Sequence, residues 1–368
     1  MRNTLLLLIL SILFMHNVKS QDFELNDFYT YNPEIEHRVD QIFQSLSEEA
    51  KVAQMIVTSA GELGKPEKTV LKLAQENKIG GVVFLKGTIE NHKRIIDSLN
   101  AINKSLNQLP LLYSIDAEPS LYNGRLKGTA PLMNTIDIKT NVQADSIARI
   151  INKTLLEIGF RQNFAPVVDI SPQNEAIKNR SFGDDKLKVI SLSKQFINTT
   201  QDQGIIATAK HFPGHGLVKG DTHKNSVYID GALQELDVYP PLIEAGVLSI
   251  MMAHITINNN EMYNTNGLPS SCSRNIVTGL LKEKLGFKGL VITDALNIMK
   301  AVTIIDNAPL VASKAGNDML LMPQDETHTI NSILAEMLKD DNYKQQIYQS
   351  VKKIIRLKLA LGLLQANN

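Results

Sequence analysis

Apolar positions along the chain follow two rhythms that alternate. Short runs rich in β-branched residues read as strands: Val52 to Ser59, Gly80 to Leu85, Leu111 to Asp116, Asn163 to Asp169, Ile205 to His211, Leu248 to Ile255, Gly289 to Asp294 and Asp318 to Met322. Between them lie longer stretches with helical spacing of apolar residues, such as Lys65 to Gln75, Asn91 to Asn103, Asn141 to Glu157, Asp185 to Gln201 and Arg274 to Leu285. Ser271 or Ser273 is suited to cap the last of these, and a final helix, Asn342 to Leu361, should stop at Gly362. Strand and helix in strict alternation predict an α/β protein built on a parallel sheet, and the count of strands predicts a single (β/α)8 TIM-like barrel. An open doubly wound sheet would show the same alternation, but no Gly-x-Gly-x-x-Gly element follows a strand here.

Residues 1–20 break the pattern and read as an export signal. Arg2 gives a positive start, Leu5 to Met15 is apolar, and Val18-Lys19-Ser20 offers small residues before a cut at Gln21. The apolar run is too short to span a bilayer, so no stable membrane anchor is expected. Residues 21–368 are then one catalytic-type barrel, since no Ser/Gly/Pro-rich linker divides them. Cleavage after Ser20 would remove two bases and no acid, taking the formal net charge from 0 to −2. That balance gives no attraction for nucleic acid. A single cysteine, Cys272, leaves no internal disulfide and suits a bacterial periplasmic or secreted protein better than a disulfide-stapled module.

Candidate chemistry gathers where strands end. Asp116, Asp169, Lys210 with His211, His254 and Asp294 all close a predicted strand, and a βα barrel brings such ends to one face. Taken singly, each could be a polar residue that merely starts a loop. Asp294, after Leu290-Val291-Ile292-Thr293, has a rigid seat suited to a nucleophile or charge stabiliser. The loop after His211 contains Gly214, Gly216 and Gly220, which should make it mobile, and it contains Asp221 and His223. In an extended segment that spacing turns both side chains to one side, so Asp221 could orient His223 as a general acid and base. His254 is the next candidate for the acid. His211, His215, Asp221 and His223 also form a run of possible metal ligands, but Pro213 and Gly214 disfavour the helix that would align the first two. No metal or cofactor is expected.

The stretch Ala209-Lys-His-Phe-Pro-Gly-His-Gly216, with Asp221-Thr-His223 four residues on, resembles the signature of the β-N-acetylglucosaminidases of glycoside hydrolase family 3. Asn163 to Asp169, Asn179 to Gly183, Met252-Ala-His254, Val277 to Met299, Lys314 to Pro323 and Ile354 to Gly362 resemble the same family in order. The resemblance runs from about Leu46 to Gly362. It implies a (β/α)8 barrel and a retaining mechanism through a covalent intermediate. Asp294 would be the nucleophile and His223, oriented by Asp221, the acid/base. Asp116, Arg180, Lys210 and His211 would hold the hydroxyls of the terminal sugar. A histidine acid/base departs from the usual carboxylate pair and leaves room for phosphate instead of water as acceptor.

One stretch departs from that pattern. Where the family has Gly-Gly-Arg or Trp-Gly after its sugar-binding aspartate and glutamate, this chain has Pro119-Ser-Leu-Tyr-Asn-Gly-Arg125, so no sugar contact is assigned to Glu118 or Arg125. The chain has no Trp, which favours a pocket for one terminal sugar over a long aromatic cleft. The resemblance thus implies an exo-acting enzyme releasing terminal N-acetylglucosamine, with peptidoglycan fragments as the expected substrate. A β-glucosidase or β-xylosidase of the same family, a metal-dependent hydrolase and a sugar-binding protein without turnover are the alternatives.

Overall fold

The computed structural model describes residues 23–170, 174–218 and 227–364. The expected leader, residues 1–20, and the Asp221 and His223 pair lie outside them. All eight expected strands are present, all but β5 shorter than their apolar runs: β1 (Ile56–Ala60), β2 (Gly81–Phe84), β3 (Leu112–Ile115), β4 (Gln162–Asn163), β5 (Ile206–Phe212), β6 (Ser249–Met252), β7 (Leu290–Thr293) and β8 (Leu320–Leu321). They lie parallel in the order β7-β6-β5-β4-β3-β2-β1-β8. Parallel bridging of Ile292 with Met319 brings β7 against the start of β8 and closes the ring. Every residue of these strands is buried, which is why their sequences read as apolar runs without alternation. Polar residues within the ring pair with one another: Gln162 accepts from Ser114 Oγ at 3.0 Å and donates to Thr208 Oγ1 at 3.3 Å.

Two expected elements are corrected. The run Asn163 to Asp169 pairs as a strand only through Gln162–Asn163, because Pro166 has no amide hydrogen to give a ladder; beyond it a single bridge joins Val167 to Lys210. The helix expected at Arg274 to Leu285 spans Asn275–Lys284 with wide turns, Leu285 N donating to Leu280 O at 2.9 Å. Neither serine caps it; Ser271 Oγ is bonded to His254 instead.

Helices cover the outside. The first, Pro33–Ser45, starts with Pro33 behind Asn32, whose side chain accepts from Glu34 N at 2.9 Å. It buries Ile35, Val39 and Phe43, one per turn, each contributing about 1.5–3 kcal/mol by leaving water. These pack against the last helix, Asp341–Ala360, which ends as expected with Gly362 in the left-handed conformation (φ 69°). Arg38 Nη2 donates to Leu364 O at 2.6 Å and Arg356 Nε to Phe28 O at 2.8 Å, so the two ends of the described chain are tied together.

Candidate active site

The carboxyl ends of the strands open onto a cavity of about 260 Å³. Asp116 follows β3, Lys210 and His211 lie near the end of β5, and Asp294 follows β7; all four line the cavity, as do Arg180 and His215. Two neighbouring residues of β5 reach one site because the ladder slips there: Lys210 pairs with Met251 and Phe212 with Met252, leaving His211 as the extra residue of a bulge. The other side of the cavity, from the loops after β7, β8 and β1, is apolar, with Ile298, Met299, Met322 and Leu63. A larger cavity of about 360 Å³ lies beside the loop after β5, lined by Pro213, Leu217 and Tyr228, and none of the strand-end groups reaches it.

The polar side is a network of charges. Lys210 Nζ donates to Asp116 Oδ1 at 2.7 Å and stands 3.3 Å from Glu118 Oε1. Glu118 is fully buried and takes Arg180 through both carboxylate oxygens, Nη2 to Oε1 at 2.8 Å and Nε to Oε2 at 3.0 Å. Arg125 Nη2 lies 3.5 Å from Asp116 Oδ2, and Arg125 Nη1 donates to Leu85 O at 2.9 Å. Burial alone would raise the Asp116 carboxyl, but Lys210 and Arg125 outweigh it and hold the group well below the usual carboxylate range. Glu118 behaves alike, burial being outweighed by Arg180 and Lys210. Both are anions at any neutral pH.

Asp294 has a different setting. Among the described residues its carboxylate accepts one hydrogen bond, from Ala295 N to Oδ1 at 2.7 Å. Burial would raise it, but the neighbouring His211 and His254 rings and the Ala295 amide bring it below the ordinary value, so it is an ionised carboxylate with bonding capacity to spare. His254 stands behind it, buried, with Nδ1 2.6 Å from Ser271 Oγ and Nε2 3.2 Å from Ala295 O. Burial lowers the His254 pKa, so a neutral ring donating Nε2–H to Ala295 O and accepting the Ser271 hydroxyl proton satisfies both contacts. With both nitrogens engaged, His254 supports the peptide after Asp294 and is not a proton donor to a leaving group.

Asp169 supports from below. Its Oδ2 is 2.7 Å from His211 Nδ1, and its Oδ1 accepts from His215 N at 2.8 Å and His211 N at 3.2 Å. Burial raises its carboxyl, and His211 more than reverses this. The start of the next loop is packed rather than loose: His211 to Gly216 are buried. A Cβ on Gly216 would sit 1.6 Å from Ile170 O, and one on Gly214 2.5 Å from Glu235 Cβ. These two glycines serve close approach, which corrects the expectation that they confer mobility; Gly220 lies outside the described residues.

Of the expected site residues, Asp116, Arg180, Lys210, His211 and Asp294 meet around the cavity, and Asp221 and His223 are outside the described residues. Arg125 and Glu118 were not assigned from sequence. Both belong to the same network, and their spacing from Asp116 was the available signal.

A ring of parallel strands with acids and bases converging at its carboxyl end defines an enzyme-type barrel. Residues 45–357 match the model of the glycosyl hydrolase family 3 N terminal domain, and the chain belongs to that family. It is 28% identical over 331 residues to a beta-hexosaminidase A of Pseudoalteromonas piscicida, covering 79% of this chain and 55% of that one. With a beta-hexosaminidase of Vibrio cholerae the identity is 30% over 275 residues, covering 71% and 79%. Among solved structures, a family 3 beta-N-acetylglucosaminidase from Paenibacillus superposes with a TM-score of 0.78 at 28% identity, covering 87% of this chain and 63% of that one. The chain thus spans about half the length of the Pseudoalteromonas relative and less than two thirds of the Paenibacillus one.

Proposed function

We propose that the protein is an exported, exo-acting, retaining β-N-acetylglucosaminidase that releases terminal N-acetylglucosamine, with peptidoglycan fragments as its natural substrate. The observation that carries this reading is the convergence of an under-bonded, ionised Asp294 and the Asp116–Lys210–Glu118–Arg180 network on one small cavity. A cavity of about 260 Å³ suits one sugar unit, and its division into a charged and an apolar side suits a ring with hydroxyls at its edge and C–H groups on its face. In this reading Asp294 attacks the anomeric carbon and forms a glycosyl ester. Asp116, Arg180, Lys210 and His211 bind hydroxyls, with Glu118 holding Arg180 and Lys210 in place and Arg125 reaching Asp116. His223, oriented by Asp221, protonates the departing oxygen and then deprotonates the attacking water. The names of the relatives support N-acetylhexosaminide as the substrate class.

The test is a panel of aryl β-glycosides with purified protein, with and without a chelator. Hydrolysis of the N-acetylglucosaminide, faster than that of glucoside or xyloside and unaffected by chelation, is expected. A preferred glucoside, a chelator-sensitive rate, or binding without turnover would each replace this reading with a different one.

A further inference from the structure

Glu235 is a buried acid outside the active-site cavity, on the wall of the neighbouring 360 Å³ one, and it stands just before the 3-10 turn Leu236–Val238 that leads into the helix Tyr239–Glu244. Its carboxyl group gathers three backbone amides. Oε1 accepts from Ile170 N at 2.7 Å and from Gly216 N at 3.2 Å, and Oε2 accepts from Leu217 N at 3.1 Å. Ile170 follows Asp169, which takes the amides of His211 and His215. Two adjacent carboxyl groups therefore bind the same seven-residue stretch, His211 to Leu217, Asp169 at its start and middle and Glu235 at its end. Gly214 and Gly216 allow this, since a side chain at either would strike Glu235 or Ile170.

We infer that Glu235 is a positioning residue: it fixes Gly214–Leu217 against Asp169–Ile170, beyond β4, and so sets the placement of His215 at the cavity. Its consequence for turnover rests on the function proposed above. Placing an acid here is costly. Burial and then the charge of Asp169 raise its carboxyl to about 8, against the pull of the three amides, and the buried Tyr239 also faces the pair. A group kept in so unfavourable a setting is explained by the amides that no apolar side chain could satisfy.

Glu235→Gln is the informative variant, because it keeps one carbonyl acceptor and turns an NH2 group toward an amide that now has no acceptor; Glu235→Ala removes all three bonds. Hydrogen exchange should accelerate at Ile170, Gly216 and Leu217 in Ala, and in Gln at whichever of these amides faces the NH2 group. With an alkyl β-N-acetylglucosaminide, whose leaving group needs a proton, single-turnover rate should fall about tenfold to a hundredfold with KM within about twofold. An activated aryl substrate should lose less. Unchanged exchange at these amides overturns the inference, and so does faster exchange with an unchanged rate. If the unaltered protein cleaves no N-acetylglucosaminide, the proposed function fails, and the exchange data still decide whether Glu235 holds the segment. Should Glu235→Ala not fold, Glu235→Gln alone gives the same readings.

Discussion

Two buried charge clusters sit at opposite ends of the ring, and they differ in what they leave unfinished. At the amino ends of the strands, Asp318 accepts from Lys282 Nζ at 3.0 Å, Ser350 Oγ at 2.8 Å, Lys353 Nζ at 2.9 Å and Val291 N at 2.8 Å. Two bonds to each oxygen fill its capacity, and only 1% of its side chain is exposed. At the carboxyl ends, Asp116 has Lys210 at 2.7 Å and a long contact to Arg125 at 3.5 Å, with 18% of its side chain open to the cavity. Charge burial alone therefore does not mark a functional site. A saturated cluster fastens helices to the ring, whereas an under-bonded one still has hydrogen bonds to offer a ligand.

The contrast can be broken by substitution. The largest effect is expected at Asp294, the least bonded carboxylate of the open end: Asp294→Ala should lower kcat on the order of a millionfold, as loss of a nucleophile does. Its melting temperature should stay near that of the unaltered protein, measured by calorimetry. A trapped fluorinated sugar attached to a peptide other than Gly289 to Lys300 would contradict the assignment.

Next in size is a crossed pair. Asp116→Ala should reduce kcat/KM by roughly a hundredfold or more, the loss of about 3 kcal/mol from charged hydrogen bonds, with a small change in stability. Asp318→Ala should do the reverse, costing about 3–5 kcal/mol of stability by leaving Lys282 and Lys353 unpaired while the folded fraction keeps its kcat/KM. Denaturant unfolding and steady-state kinetics on both variants check this, and equal effects on the two readouts would erase the distinction drawn between the ends.

The last predictions concern pH dependence. Burial raises the Asp318 carboxyl, but Lys282 and Lys353 bring it from 3.8 down to about 2. A carboxyl with a depressed folded value stabilises fully above its unfolded value, so this contribution should be complete above about pH 4 and vanish as pH falls toward 2. Lys358, buried with Nζ on Gln54 Oε1 at 2.7 Å and Gly80 O at 3.0 Å, has no carboxylate partner in these bonds, and burial lowers it from 10.5 to about 7. Here the folded form binds fewer protons, so stability should rise between about pH 7 and 10. Asp318→Asn should flatten the acid limb and Lys358→Met the alkaline one.

What could be read along the chain follows from how local each feature is. The eight strands were legible because burial on both faces imposes runs of Val, Ile and Leu. The ends bearing Asp116, Lys210, His211 and Asp294 were legible because the ring topology brings such ends together. Strand length was not: the slip at His211 is decided by neighbours across the ladder, and Pro166, though plain in the sequence, cuts the pairing of β4 short within an otherwise apolar run. Glu118 and Glu235 escaped assignment for a related reason. Their partners, Arg180 and the amides of Ile170, Gly216 and Leu217, lie tens of residues away in sequence or nearly so, and no periodicity announces such pairings. Gly214 and Gly216 suggest freedom in the sequence, whereas the fold uses their lack of bulk.

The tie between Arg38 and Leu364, with the first helix lying on the last, has a consequence for topology. A ring whose opening and closing segments meet has no privileged starting strand: a short bridge between these segments, with the chain cut in an exposed connection elsewhere, would leave every ladder and helix contact as it is. Circular permutation of the described residues 23–364 is thus compatible with this ring, and the cut could fall on the face away from the cavity, where new ends would not disturb the strand termini that bear Asp116, Lys210 and Asp294.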